Sequence, residues 1–193
     1  MESVRLKLEI LTEAHIPEIF AAVGTDPELY RWLPFPAPQT LSDFRRVLQS
    51  FIADTQNGLR IAYAVILKSN GLAIGITSFL DLNPTHNSLE IGSTLYGQEY
   101  LRTFVNSECK LLMLTEAFEM RGVERVALKT DSKNERSKVA ILRLGASYEG
   151  VLRHHMKRPD GSWRDSVYFS ILRSEWPLVK ANLESKISQT GRA

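Results

Sequence analysis

The sequence predicts an α+β domain: a mixed, mostly antiparallel, twisted sheet of about seven strands flanked by helices. Three observations predict it. Strand patterns come in a run before the alternation β-α-β-α-β-β. A helical pattern near 106–120 is long enough to cross over between strand patterns at 88–96 and 124–130, which calls for one parallel pair. Asn70-Gly71 and the run "RPDGS" are hairpin and turn signals joining neighbouring strands. Where two parallel neighbours diverge, a crevice can open for a ligand. A length of 193 residues fits one domain, 1–193.

Taken in order, residues 3–10 read as a strand, and Thr12 offers a cap to "EAHIPEIFAAV", whose apolar residues recur at helical spacing. "DPELYRWLPFPAPQT" is a proline-broken connection rich in aromatics. Thr40 starts a helix through about Gln56. Strands follow at 61–68, 72–81 and 88–96. The next helix, from about Asn106 to Met120, is expected to be capped by Asn106 or Ser107. Then come the strand "ERVALKTD", a helix from Glu135 to Leu144 stopped by Gly145, and strands at 147–157 and 163–172. A final helix begins near Ser174, and "SQTGRA" (188–193) is expected to be a flexible tail. The apolar residues of "SEWPLVKANLESKI" can pack on their own domain or on a second copy, so a homodimer stays open.

Composition excludes several classes. The chain is 44% hydrophobic and 24% charged with a net charge of +2, which argues for no nucleic-acid and no membrane partner. The apolar stretches fall short of a membrane span, and "MESVRLKLEI" lacks the apolar region of a secretory signal. The single cysteine, Cys109, cannot form an internal disulfide, so a reducing cytoplasm is the expected compartment. Cys109 lies in an apolar helical pattern and reads as a small core residue. His15 and His86 have no partner that spacing identifies, and no metal site is expected.

Chemistry concentrates in a few places. "GQEYLRTFVNSE" links a strand to a helix N-terminus, a natural anion site, yet Arg102 and Phe104 stand where glycines are expected. Glu90 alternates with Leu89 and Ile91 and so faces away from them. Asn134 and Ser137 open the helix at 135 as a cap and a first-turn residue. Alternation puts His154 and Met156 on one face and His155 on the other. Tyr30, Trp32 and Phe35 form either an aromatic wall for an apolar substrate or a lid packed on the core. Trp163 and Asp165 share a face and Arg164 takes the other; these read as structural, with Tyr168 a pocket candidate.

The runs "VERVALKTDSKNERSKVAILRLGASYEGVLRHHM" and "DGSWRDSVYFSILRSEW" resemble the GNAT superfamily of acetyl-CoA-dependent N-acetyltransferases, in the branch of RimJ- and RimL-type ribosomal-protein acetyltransferases. The resemblance covers nearly the whole chain. It is most specific from Asp131 to Gly150: an Asn, a Ser three residues later, a Leu-Gly hinge and a Glu-Gly pair before "VLR". It implies a pyrophosphate loop at 101–107. The family pattern there is Gln or Arg, two variable residues, Gly, one variable residue, then Gly or Ala. This chain supplies Leu101, Arg102, Thr103, Phe104, Val105 and Asn106, a clear departure. Backbone N–H groups and the helix dipole hold such an anion, so side chains are tolerated where φ is negative and Cβ points away. A weakened but working cradle is expected from Arg102, Thr103, Phe104, Val105, Asn106 and Ser107.

The resemblance further implies that Asn134 contacts the pantetheine arm and that Ser137 donates a proton to the leaving sulfur. The tyrosine acid of many members is Ile141 here. Glu90 is then a base acting through a water, and the backbone of Ile91, Gly92 and Ser93 is an oxyanion and pantetheine partner. The Rim-type glutamate base falls on Met156, whose neighbours are His154 and His155. Tyr30, Trp32 and Phe35 roof the acceptor site, with His154, Met156 and Tyr168 beside it. The implied activity is acetyl transfer to a primary amine, on a protein N-terminus or a small molecule, by direct attack on the thioester. An α-amine with a pKa of about 7.7–8.0 needs little help to lose its proton. The alternative is a catalytically silent protein of the same fold that binds CoA weakly or acts through protein contacts.

Overall fold

A computed structural model of the chain describes residues 1–190. Its elements are β1 (Leu6–Ile10), α1 (Ile16–Val23), α2 (Pro27–Tyr30), α3 (Leu41–Gln56), β2 (Ile61–Leu67), β3 (Ala73–Asn83), β4 (Ser88–Tyr96), α4 (Phe104–Thr115), β5 (Arg125–Asp131), α5 (Glu135–Leu144), β6 (Ser147–Lys157), β7 (Trp163–Leu172) and α6 (Trp176–Thr190). The seven strands form one sheet in the order β1-β2-β3-β4-β5-β7-β6. Only β4 and β5 are parallel neighbours, with α4 as the crossover; all other pairs are antiparallel. The mixed, mostly antiparallel sheet flanked by helices is the one the element order predicts.

Two apolar layers sit on opposite faces. On one, α4, α5 and α6 bury Cys109, Met113, Ile141 and Val179 against Leu89, Ile91, Val126, Leu128, Val167 and Phe169. On the other, α1 and α3 bury Ile19, Phe44 and Leu48 against Ala62, Ala64, Ile76 and Leu95. No residue of β5, β6 or β7 joins this second layer. The face of β4, β5 and β7 on that side instead carries Glu90, Lys129, Asp131, Ser166 and Tyr168, and the site is built there.

Local signals explain the helix ends. Thr40 and Asp43 cap α3 reciprocally: the Thr40 hydroxyl accepts from Asp43 N at 3.2 Å, and the Asp43 carboxylate accepts from Thr40 N at 3.0 Å. Gly145 closes α5 at φ +107, a left-handed conformation that costs glycine nothing.

Three expectations need correcting. Helix α4 starts at Phe104 and is capped by Thr103, whose hydroxyl accepts from Val105 N at 3.3 Å and donates to Tyr100 O at 2.7 Å; neither Asn106 nor Ser107 caps it. Thr103 wins because its backbone is already extended there. The connection after α1 holds one helical turn, α2, started by Asp26 and Pro27. Ser188, Gln189 and Thr190 belong to α6 and not to a tail, while 191–193 lie outside the described residues. Helix α6 docks on its own domain: Trp176 stacks on Phe118 at 5.5 Å and donates to Glu119 at 2.8 Å. Among the described residues no helix is long and apolar enough to cross a membrane.

Candidate active site

The parallel ladder between β4 and β5 runs only from Ser88↔Arg125 to Glu90↔Ala127, after which the strands part. In the same stretch β4 slips by one residue against β3, and Ser93 takes a φ of +48. A bulge takes its extra residue out of the ladder, so 91–94 lose partners on one side and kink on the other. Gly92 leaves room for two side-chain ends. A Cβ there would lie 2.9 Å from Glu90 Oε1 and 2.9 Å from Leu80 Cδ1, because the Glu90 side chain folds back along its own strand. Thr94 is pinned by Thr77 at 2.9 Å and by the buried Lys110 ammonium, which donates to it at 3.0 Å.

Beyond the fork lies the loop into α4. Arg102 has φ +63, against the expectation that a negative φ excuses a side chain at this position. A left-handed residue other than glycine costs about 1–2 kcal/mol. Phe104 is the first residue of α4, and its ring lies 3.8 Å beneath the Arg5 guanidinium, packed on the main core and outside the loop. Val105 is fully buried; Asn106 and Ser107 are half-buried on the first turn. A cavity of about 260 Å³ connects this loop to α5, lined by Trp32, Gln98, Leu101, Lys133, Asn134 and Arg136 among others. Asn134 is the α5 cap, its Oδ1 accepting from Ser137 N at 3.1 Å. Ser137 is half-buried on the first turn.

On the polar face, Glu90 is buried and its Oε2 lies 2.7 Å from Lys129 Nζ. Burial pushes the Glu90 carboxyl above its ordinary value, with the Lys129 charge opposing. Burial works against the Lys129 ammonium, yet Glu90 holds its pKa above the ordinary value. Tyr168 has its ring centroid 5.8 Å from Lys129 Nζ and its hydroxyl 3.4 Å from His155 Nε2. His155 Nδ1 lies 3.0 Å from Ser166 Oγ. Burial first, then the charges of Lys129 and Arg164, lower the His155 pKa, so the imidazole is neutral at neutral pH. Asp131 takes a bidentate Arg158 at 2.7 and 3.1 Å and the Lys133 N–H at 2.9 Å, tying the end of β5 to the β6–β7 hairpin.

Several predicted positions move. It is His155, not His154, that reaches Tyr168. Between Leu152↔Ser166 and Met156↔Arg164 strand β6 carries two extra residues, which breaks strict alternation. His154 sits at φ +48, exposed and stacked on Trp163 at 5.5 Å. Tyr30 and Phe35 are core residues rather than a substrate wall. The Tyr30 hydroxyl donates to Gly24 O at 2.8 Å, and Phe35 packs edge-on to both Tyr30 and Phe51. Of the three aromatics only Trp32 lines the cavity. Met156 is half-buried beside Trp32 and Arg164 in a narrow recess. Glu90 is not the exposed strand carboxylate that alternation alone allowed.

Lys129, Asp131 and Arg158 were given no role by sequence reasoning, and Arg164 was read only as structural. The signal was present for three of them: "VALKTD" puts Lys129 and Asp131 opposite the apolar Val126 and Leu128, and "WRDSVYFS" puts Arg164, Ser166 and Tyr168 on one face. Among the described residues no group of His, Cys, Asp and Glu is arranged to hold a metal ion.

Comparison with known proteins bears on this arrangement. The sequence profile of the acetyltransferase (GNAT) domain family matches residues 5–147. YoaA of Bacillus subtilis (strain 168), named an uncharacterized N-acetyltransferase, is 26% identical over 173 residues, 90% of this chain and 96% of its own. YdaF of the same organism, provisionally named a ribosomal N-acetyltransferase, is 28% identical over 160 residues, 80% of this chain and 83% of its own. A solved structure of a provisionally assigned acetyltransferase from T. thermophilus is 36% identical and superposes with a TM-score of 0.86, covering 96% of this chain and 95% of that one. With the family profile matched over well more than half of its length, the chain belongs to the GNAT acetyltransferase family.

Proposed function

We propose that this chain transfers an acetyl group from acetyl-CoA to a primary amine, a protein N-terminal α-amine or a small-molecule amine, by direct attack of the amine on the thioester. The observation that carries this reading is the fork between β4 and β5, bulged at Ser93, beside the cavity of about 260 Å³ that runs from the α4 loop to Asn134. The residues present fit the cosubstrate. The freed backbone of Ile91, Gly92 and Ser93 would hold its pantetheine end, and Asn134 the arm. Its phosphates would meet Arg102, Thr103, Phe104, Val105, Asn106 and Ser107 at the positive end of α4. The Phe104 ring leaves that backbone approachable because it turns under Arg5.

When bound, acetyl-CoA supplies an electrophilic thioester carbonyl. Glu90 accepts the amine proton through a water; burial raises its pKa toward that of a useful base, with the Lys129 charge opposing. His155, neutral and hydrogen-bonded to Tyr168, is a second group able to take that proton. Backbone N–H groups at the bulge stabilise the developing oxyanion. The Ser137 hydroxyl would pass a proton to the departing thiolate and regain one from solvent, while the amine proton taken by Glu90 is released to solvent. The similarity to YdaF and to the RimJ/RimL-type branch supports an N-terminal α-amine as one acceptor class.

The competing reading, a silent protein of the same fold, is favoured by one observation: Arg102, where a glycine is expected, holds a left-handed conformation. Calorimetry with acetyl-CoA separates the two. Micromolar binding, weakened by Asn134→Ala, and amine-dependent CoA release lowered about a hundredfold by Glu90→Gln are expected. No binding in the wild type, with binding gained by Phe104→Gly, would establish the silent reading.

A further inference from the structure

Arg164, on β7, is 8% exposed, its Nε sealed from solvent without a hydrogen-bond partner. Among the described residues its guanidinium makes no hydrogen bond or ion pair. A buried, unpaired charge is expensive, and side chains of this kind are almost always matched by an anion. Asp131, the carboxylate that acts most on its charge, makes its hydrogen bonds to Arg158 through both oxygens and none to Arg164. Arg164 opens into a recess whose walls include Arg31, Lys157 and Arg158 but only one acidic residue, Asp131. Trp32 and Met156 supply apolar walls. The recess lies on the same strand face as Ser166 and Tyr168, and Glu90 acts on the Arg164 charge through space.

We infer that Arg164 is a specificity-determining residue that receives a carboxylate carried by the acceptor amine. This rests on the proposed acetyl transfer, because it assigns the acceptor end of the same site. The recess is narrow, and its apolar Trp32 and Met156 walls beside Arg164 suit a carboxylate on a short carbon stem. Arg164 and Tyr168 are four residues apart on one strand face, roughly 13 Å along the backbone. Both a free amino acid or dipeptide and a peptide with an acidic side chain near its N-terminus carry this chemistry. The cationic wall disfavours basic N-termini.

The test uses two readouts. The first needs no acetyl-CoA: N-acetylalanine and N-acetylalaninamide are titrated into the protein by NMR. The carboxylate is expected to bind at least about tenfold tighter than the amide, and Arg164→Met to bring the two within about twofold of each other. The second measures acetylation of alanine against alaninamide, Ala-Ala against its amide, and Ala-Glu-amide against Ala-Gln-amide. A preference in the first two pairs identifies a terminal carboxylate, and one in the third an acidic side chain. In each the preference is expected in KM and to fall with Arg164→Met, with partial rescue by Arg164→Lys. Equal binding of the two probes, or a preference that survives Arg164→Met, overturns the inference. So does failure of Arg164→Met to fold: an unpaired guanidinium predicts that an apolar replacement of similar length melts no lower than the wild type. Arg164-dependent probe binding with no acetyl transfer to any amine would sink the proposed function and leave the carboxylate site standing; transfer without preference would do the reverse.

Discussion

Asp131 shows how one buried carboxylate organises its surroundings. It is 1% exposed, ends β5, anchors Arg158 of the opposite hairpin and accepts from Lys133 N at the approach to α5. Burial alone would raise its pKa, but the Arg158 pair and the Lys133 N–H hold it below the ordinary carboxylate value. The folded pKa is therefore depressed relative to an unfolded value of about 3.9. The stabilisation is present above that pH and lost as pH falls through the folded pKa. Asp131→Asn is expected to cost about 3 kcal/mol at pH 7, because Arg158 loses its counter-charge. Denaturant unfolding at pH 7 and pH 3 checks it: the deficit should shrink at the lower pH, and an equal deficit at both would mean that charge is not the cause. At this scale the sequence was read unevenly. Asn134 as a cap was legible because capping is local, while Arg164 was read as structural because its lack of a partner depends on groups remote in sequence.

Helix ends are decided by single backbone conformations, and two positions here form a reciprocal pair. Gly145 ends α5 at φ +107, with the position of an added Cβ 3.1 Å from Val179 Cγ2 of α6. Gly145→Ala should therefore lower stability by about 1–2 kcal/mol. Arg102, at φ +63 before α4, is the opposite case, and Arg102→Gly should raise stability by up to about 1 kcal/mol. Thermal unfolding of both variants measures the pair; a loss on Arg102→Gly would mean that its side chain repays the strain through contacts. The elements themselves were legible: all seven strands and the five longer helices follow from period, caps and turn residues. The start of α4 was missed because Thr103, Asn106 and Ser107 are all competent caps. Tertiary packing of Val105 and Phe104 selects among them.

The whole molecule is two apolar layers sharing one sheet. Trp176 closes the layer under α4 and α6, and Phe44 is fully buried in the layer under α1 and α3. Neither layer exists without the strands between them, so unfolding should be cooperative. Trp176→Ala and Phe44→Ala are each expected to cost about 3–5 kcal/mol and to shift the same transition. Tryptophan fluorescence and far-ultraviolet circular dichroism should report coincident midpoints in the wild type and in Phe44→Ala, whereas separate midpoints would show that the layers unfold independently. The incomplete cover of the second face is also a whole-molecule property: α1 and α3 end over β2, β3 and β4, which leaves the polar face of β5 and β7 outside that apolar layer.

From the sequence alone came the element order and the one parallel pair, both carried by local spacing, which survives in one dimension. The resemblance between residues 131 and 150 added the expectation of chemistry at Glu90, Asn134, Ser137 and the loop at 101–107. The tertiary structure decided which of them meet and how. The bulge in β6 exchanged His154 for His155, the inner core claimed Tyr30 and Phe35, Lys129 became the partner of Glu90, and Arg164 was left buried without an anion. Each depends on a register shift or on a partner far away in the chain, and neither has a signature in the spacing of a single strand.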